Sequence, residues 1–285
     1  MHEAMNILSH QLMSKYVYML HAELPPSNYD SSVPYPGLDT SYTDYMNSRP
    51  DQWEVDAMVE AIKSSIETKC ATHIVHVSSS YAADVIRAAR ALGAPVTSET
   101  CTQYLLFSSE EIPDSATSYK CAPPIRSNEN RLNLWSHILQ TPIRLPSIDM
   151  VTSDHSPALP SLKQVETGDI RKAWGGISGV QHRLIGTWTA AKQLNVSLST
   201  LSNILSTKAA QVFGISDMKG SLAPNMDADL VIWSPEELTK VTERNFYARH
   251  KVSPFLTHPG PGFQGRVYAT LVRGAVAYTA WEDNE

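Results

Sequence analysis

Thr72-His73-Ile74-Val75-His76-Val77-Ser78-Ser79-Ser80 is the stretch whose reading decides the fold. Its apolar run, bounded by polar residues, is a buried strand, and the serines that close it can cap a following helix over Ala82–Leu92. Upstream, Trp53–Thr68 carries Val55, Met58, Val59, Ile62 and Ile66 at helical spacing. Downstream, Gly93 stops the second helix, and Pro95–Ser98 forms the next strand, entering Glu99-Thr100-Cys101.

The same unit recurs on both sides. Asn6–Lys15 reads as the end of a helix, and Tyr16–Leu20 as a short strand running into His21-Ala22-Glu23. Residues 24–50, rich in Pro, Ser, Tyr and Asp, read as one long loop, a length usually kept for function. Asn130–Leu139 is a further helix. Ile148–Thr152 is a fourth strand, closing at Ser153-Asp154-His155-Ser156-Pro157. The turn Gly175-Gly176-Ile177-Ser178-Gly179 precedes helices from about Val180 to Phe213. Strands alternating with helices, with polar residues at each strand end, predict a parallel α/β fold whose chemistry sits at the strand C-termini. About four units are present where a closed barrel needs eight, so residues 1–217 predict half a (β/α)8 barrel of the TIM type. From residue 218 the texture becomes short β segments around Gly and Asp turns, and 218–285 predicts part of a small β-sandwich domain.

Composition narrows the function classes. The chain has 285 residues, 42% hydrophobic, with net charge −6 and scattered acids, so no basic stripe exists to neutralise nucleic-acid phosphates. No apolar run is long enough to span a bilayer. Cys70, Cys101 and Cys121 form an odd set without CxxC spacing, which fits buried thiols in a reducing compartment. Met1-His2-Glu3-Ala4-Met5 does not open a signal peptide, and the expectation is a cytoplasmic protein.

Three strand ends carry candidate metal ligands: His21, His76 and Asp154. Imidazole nitrogen with carboxylate oxygen suits zinc, manganese or cobalt. Each also has an ordinary alternative, a structural histidine or a turn-capping aspartate, and the pattern by itself leaves both open. His73, three residues before His76, falls on the opposite face of a strand and reads as structural. Adjacent Asp154, His155 and Ser156 cannot converge as a serine triad. Glu99 could serve as a base, but a carboxylate buried at a strand end more often pairs with an Arg or a backbone amide. Cys101 and Cys121 are nucleophiles only if a base stands beside them.

On these residues the chain resembles the cyclic amidohydrolases, the family of allantoinases, dihydropyrimidinases and dihydroorotases. Leu20-His21-Ala22-Glu23 is similar to the family's fifth-strand motif, and His73-Ile74-Val75-His76-Val77-Ser78-Ser79 to its sixth. Thr152-Ser153-Asp154-His155-Ser156-Pro157 is similar to the eighth. Glu99-Thr100-Cys101 and Lys120-Cys121-Ala122-Pro123-Pro124-Ile125-Arg126 resemble the loops after strands six and seven. Ser48–Glu54, Ser156-Pro157 and Ala173–Gln181 lean towards the allantoinase branch. Gln103, Thr102 and Ala209 depart from residues common in relatives, none of them at a ligand.

The resemblance implies hydrolysis of a cyclic amide, allantoin to allantoate, with dihydropyrimidines or dihydroorotate as alternative substrates. It implies a divalent metal, zinc, two per site in intact relatives, with His21 and His76 as ligands and Asp154 as ligand and proton shuttle. Backbone groups at Cys121, Ala122 and Gly176 would orient the small-molecule substrate. A homo-oligomer, tetrameric in relatives, is also implied. The family's His-x-His pair and carboxylated lysine lie upstream of strand five and have no counterpart here. The expectation is therefore a truncated, self-associating chain whose activity needs the missing half, the rival being a non-catalytic interaction subunit.

Overall fold

The computed structural model describes residues 1–11, 17–30, 33, 35–139 and 145–280. Helix α1 spans His2–Gln11; the remainder of the helix read over Asn6–Lys15, and Tyr16, lie outside the described residues.

Four short parallel strands form one sheet in the order β1 (Tyr18–Leu20), β2 (Thr72–Ile74), β3 (Val96–Cys101) and β4 (Met150–Thr152). Register pairs Leu20 with Ile74, Ile74 with Ser98, and Cys101 with Thr152. Parallel neighbours require a crossover, and helices supply it. In α3 (Asp51–Thr68), Asp51 and Glu54 sit in the first turn, where carboxylates complement the helix dipole. Lys69 in the left-handed region, φ 55°, ends it. Its buried face, including Ala57, Met58, Ala61 and Ile62, lies beside Ala82, Ala83, Ile86 and Ala89 of α4 (Ser80–Ala91) in one hydrophobic core. Small residues on α4 allow the close approach. Trp135 of α6 (Asn128–Ile138) is fully buried and donates through Nε1 to Leu105 O at 3.3 Å.

Four elements differ from the sequence reading. β2 stops at Ile74, so His76 lies beyond the strand. β3 continues through Cys101, carrying Glu99 inside the sheet. Residues 24–50 are not all loop: α2 (Tyr42–Asn47) forms because Ser41 Oγ accepts from Asp44 N at 3.1 Å while Tyr42 and Tyr45 are buried. The short α5 (Thr102–Leu106) was likewise hidden behind β3.

After β4 the chain runs through α7 (Arg183–Gln193), α8 (Leu198–Ser202), a π turn over Asn203–Thr207 and α9 (Lys208–Val212). Beyond residue 218 an antiparallel sheet forms from β5 (Leu230–Thr239), β6 (Phe263–Val272) and β7 (Ala275–Thr279), with the short α10 (Pro254–Thr257) between β5 and β6. It packs on α7, where Trp188 Nε1 donates to Pro235 O at 2.8 Å and Gln264 N to Thr189 Oγ1 at 2.8 Å. His182, Phe246 and Phe255 stack at the same junction. Among the described residues no helix is long and apolar enough to cross a membrane.

Candidate active site

The strand ends bring His21 and His76 together. His21 Nδ1 and His76 Nε2 are 2.8 Å apart, with the rings edge-on at 4.5 Å between centroids. Glu23 orients the pair: its Oε2 accepts from His21 Nε2 at 3.1 Å, and Arg49 grips the same carboxylate at 3.0 and 2.6 Å. Burial alone would raise the Glu23 pKa. The hydrogen bonds from His21 and Arg49 outweigh it and hold the carboxyl at about 2. An ionised carboxylate only accepts, so a neutral His21 donates from Nε2 and presents a bare Nδ1 towards His76. Carboxylate-backed imidazoles are how proteins aim metal ligands. Glu23 and Arg49 are functional candidates that the sequence reading left without roles.

His76 is buried, which lowers its pKa, and neighbouring His21 lowers it further, while Asp154 opposes both. Asp154 is half-buried just past β4. Both residues adopt left-handed backbone, φ 41° for His76 and φ 42° for Asp154. That conformation costs a non-glycine residue about 1–2 kcal/mol. Two such residues at two strand ends mark strain kept where side chains must be aimed.

The pair suits a divalent metal as two nitrogen donors. Among the described residues no group of three His, Cys, Asp or Glu side chains converges to hold an ion. Asp154 therefore does not complete a three-ligand centre with His21 and His76, and the donor set is a partial one.

Other candidates fall elsewhere. His73 is fully buried in the sheet, with Nδ1 2.8 Å from Thr97 Oγ1 and Nε2 3.2 Å from Glu99 Oε2. Among the described residues Glu99 is thus held by His73 and by Thr152 Oγ1 at 2.8 Å, not by an Arg or a backbone amide. Burial pushes the Cys101 thiol well up and Cys121 up to about 12, so neither is a ready nucleophile. Ser156 Oγ donates to Asp154 O at 3.2 Å and makes no triad.

The loop 121–125 is gripped by three buried tyrosines. Tyr45 Oη donates to Cys121 O at 2.7 Å, Tyr104 Oη donates to Pro123 O at 2.7 Å, and Tyr42 Oη accepts from Ile125 N at 2.8 Å. Gly176 N donates to Lys120 O at 2.9 Å, bringing the glycine turn alongside. A Cβ on Gly176 would sit 2.5 Å from Ser156 O, so only glycine fits there. One on Gly175 would lie 3.6 Å from Ala122 Cβ. The carbonyl of Cys121 and the amide of Gly176 are occupied; among the described residues, Ala122 N–H and Gly176 C=O keep no protein partner.

Residues 52–253 match the model of the amidohydrolase family. The allantoinase of Saccharomyces cerevisiae is 36% identical over 280 residues, covering 97% of this chain and 57% of the yeast protein. The mitochondrial allantoinase of Aquarana catesbeiana is 41% identical over 79% of this chain and 44% of its own length. Among solved structures, the L-hydantoinase (dihydropyrimidinase) of Arthrobacter aurescens superposes with a TM-score of 0.76 at 30% identity, covering 84% of this chain and 52% of the hydantoinase. The D-hydantoinase of a Bacillus sp. gives 0.78 at 28%, covering 93% and 57%. The chain spans about half the length of the curated relatives it matches.

Proposed function

The chain belongs to the amidohydrolase family, and from that premise we propose that it contributes the acid–base and ring-binding half of a site that hydrolyses allantoin to allantoate. The observation that carries this reading is the His21–His76 pair, aimed by Glu23, beside an aspartate held in left-handed backbone at another strand end. Curated relatives 36–41% identical to this chain are named allantoinases, which favours that substrate.

Asp154 takes the proton of the attacking water and returns it to the leaving ring nitrogen, one carboxylate serving as base and then acid. Ala122 N–H and Gly176 C=O offer one donor and one acceptor, which suit the C=O and N–H of a cyclic amide. His21 and His76 would hold a divalent metal, zinc by ligand type, whose Lewis acidity polarises the amide. Among the described residues no third His, Cys, Asp or Glu side chain converges with this pair.

The test is an allantoin hydrolysis assay on the metal-loaded protein and its Asp154→Asn variant. Turnover should fall by about 10²–10⁴-fold in the variant with the fold intact. An unchanged rate would remove Asp154 from the chemistry. The hydantoinase neighbours favour a second reading, and turnover of hydantoin or dihydrouracil without turnover of allantoin would establish it.

A further inference from the structure

Lys163, on the loop after β4, is 2% exposed, and among the described residues the partners of its ammonium are backbone carbonyls rather than a carboxylate. Its Nζ donates to two carbonyls, Lys120 O at 2.7 Å and Trp174 O at 3.0 Å. Lys120 O also accepts from Gly176 N at 2.9 Å, so its two lone pairs are both used. Trp174 N in turn donates to Leu162 O at 2.8 Å. One buried side chain thus ties together three stretches of backbone: 120–122, 162–163 and 174–176.

A buried ammonium without a counter-ion is costly, and an apolar side chain of similar length would pack there without that cost. Burial brings the Lys163 pKa down to about 7; Cys121 opposes this in part, and Lys120 nearby adds a smaller lowering. What the ammonium supplies, and a methyl group cannot, is a pair of directed donors where the loop of Ala122 meets the loop of Gly176.

We propose that Lys163 is a positioning residue for the cyclic amide: by holding the Lys120 and Trp174 carbonyls it sets the spacing between Ala122 N–H and Gly176 C=O. The proposal rests on the ring-binding role given to those two groups above. Lys163 itself does not touch the ring. Tyr45 holds the far side of the same loop through Cys121 O, so the clamp has two jaws.

Lys163→Met removes the donors at nearly constant length, and Lys163→Arg keeps charge and donors. Hydrogen exchange at the Gly176 amide and calorimetric binding of hydantoin would be measured for the metal-loaded wild type and both variants. In Lys163→Met, Gly176 exchange should rise at least tenfold and hydantoin affinity fall at least tenfold. Lys163→Arg should recover part of both. Unchanged exchange and affinity in a folded Lys163→Met would overturn the proposal. Should that variant not fold, ¹⁵N-lysine spectra of the wild type decide: hydantoin must shift the Lys163 ammonium signal, and binding without a shift refutes the clamp. If the wild type binds no hydantoin, the ring-binding reading fails by itself. The exchange result then still sustains or refutes the clamp.

Discussion

His182 shows how one buried imidazole makes the packing between the start of α7 and the β5–β6 connection sensitive to pH. It stacks between Phe246 and Phe255, each 5.2 Å away by ring centroids, and among the described residues its Nδ1 has no hydrogen-bond partner. Burial lowers its pKa to about 4. An unfolded histidine titrates near 6.5, so between those values the unfolded chain takes up a proton that the folded chain refuses. The stabilisation is complete above the unfolded pKa and is lost as pH falls towards the folded one. About 2 kcal/mol should go between pH 7 and pH 5 from this group. Thermal melts at the two pH values, compared with His182→Phe, check it: the variant should lose less on acidification. Equal losses would show that His182 titrates normally. At this scale the sequence was only partly legible. His21, His76 and Asp154 stood out as candidates because an apolar run ending in a lone polar residue is a local signal, but the same signal fits a structural histidine or a turn-capping aspartate. Lys163, Glu23 and His182 could not be assigned roles, because their environments are built by residues far away in the chain.

At the scale of elements, the alternation of strand and helix was legible wherever amphipathic spacing ran for three turns or more, as in α3 and α4. It failed at α2, where Tyr42–Asn47 is too short to show a period and its tyrosines, aspartate and asparagine resemble a turn. Tertiary burial of Tyr42 and Tyr45 decides that helix, and it then positions the 121–125 loop through their hydroxyls. It failed again at the end of β2, where strand parity was used to separate His73 from His76. The strand ends at Ile74, and the separation comes instead from the left-handed turn at His76. The α3–α4 contact carries the outer layer that keeps these strand ends in register. Ile86 is fully buried there, so Ile86→Ala should cost about 2–5 kcal/mol by urea titration without altering metal or ligand contacts directly. A loss below about 1 kcal/mol would mean that the layer collapses freely around the gap.

At the scale of the whole molecule, the parallel sheet presents two ends. Among the described residues β1 pairs only with β2, and β4 among the named strands only with β3. Met19 on β1 is 49% exposed, and the small sheet shows Val231, Ile232, Val272 and Val276 to solvent. Unpaired strand edges beside apolar faces are templates for association. The solved relatives, with this chain covering just over half of them, carry the same fold to greater length. The 285-residue chain, made on its own, should therefore self-associate. Sedimentation velocity over a range of protein concentrations tests this: a weight-average coefficient that rises with concentration is expected. Supplying the other half of the fold as a second polypeptide should suppress that rise and yield a defined complex, because it covers both edges at once. A concentration-independent monomer with a cooperative melt would mean that the edges are blunted within this chain, and the two-strand-edge argument would fail.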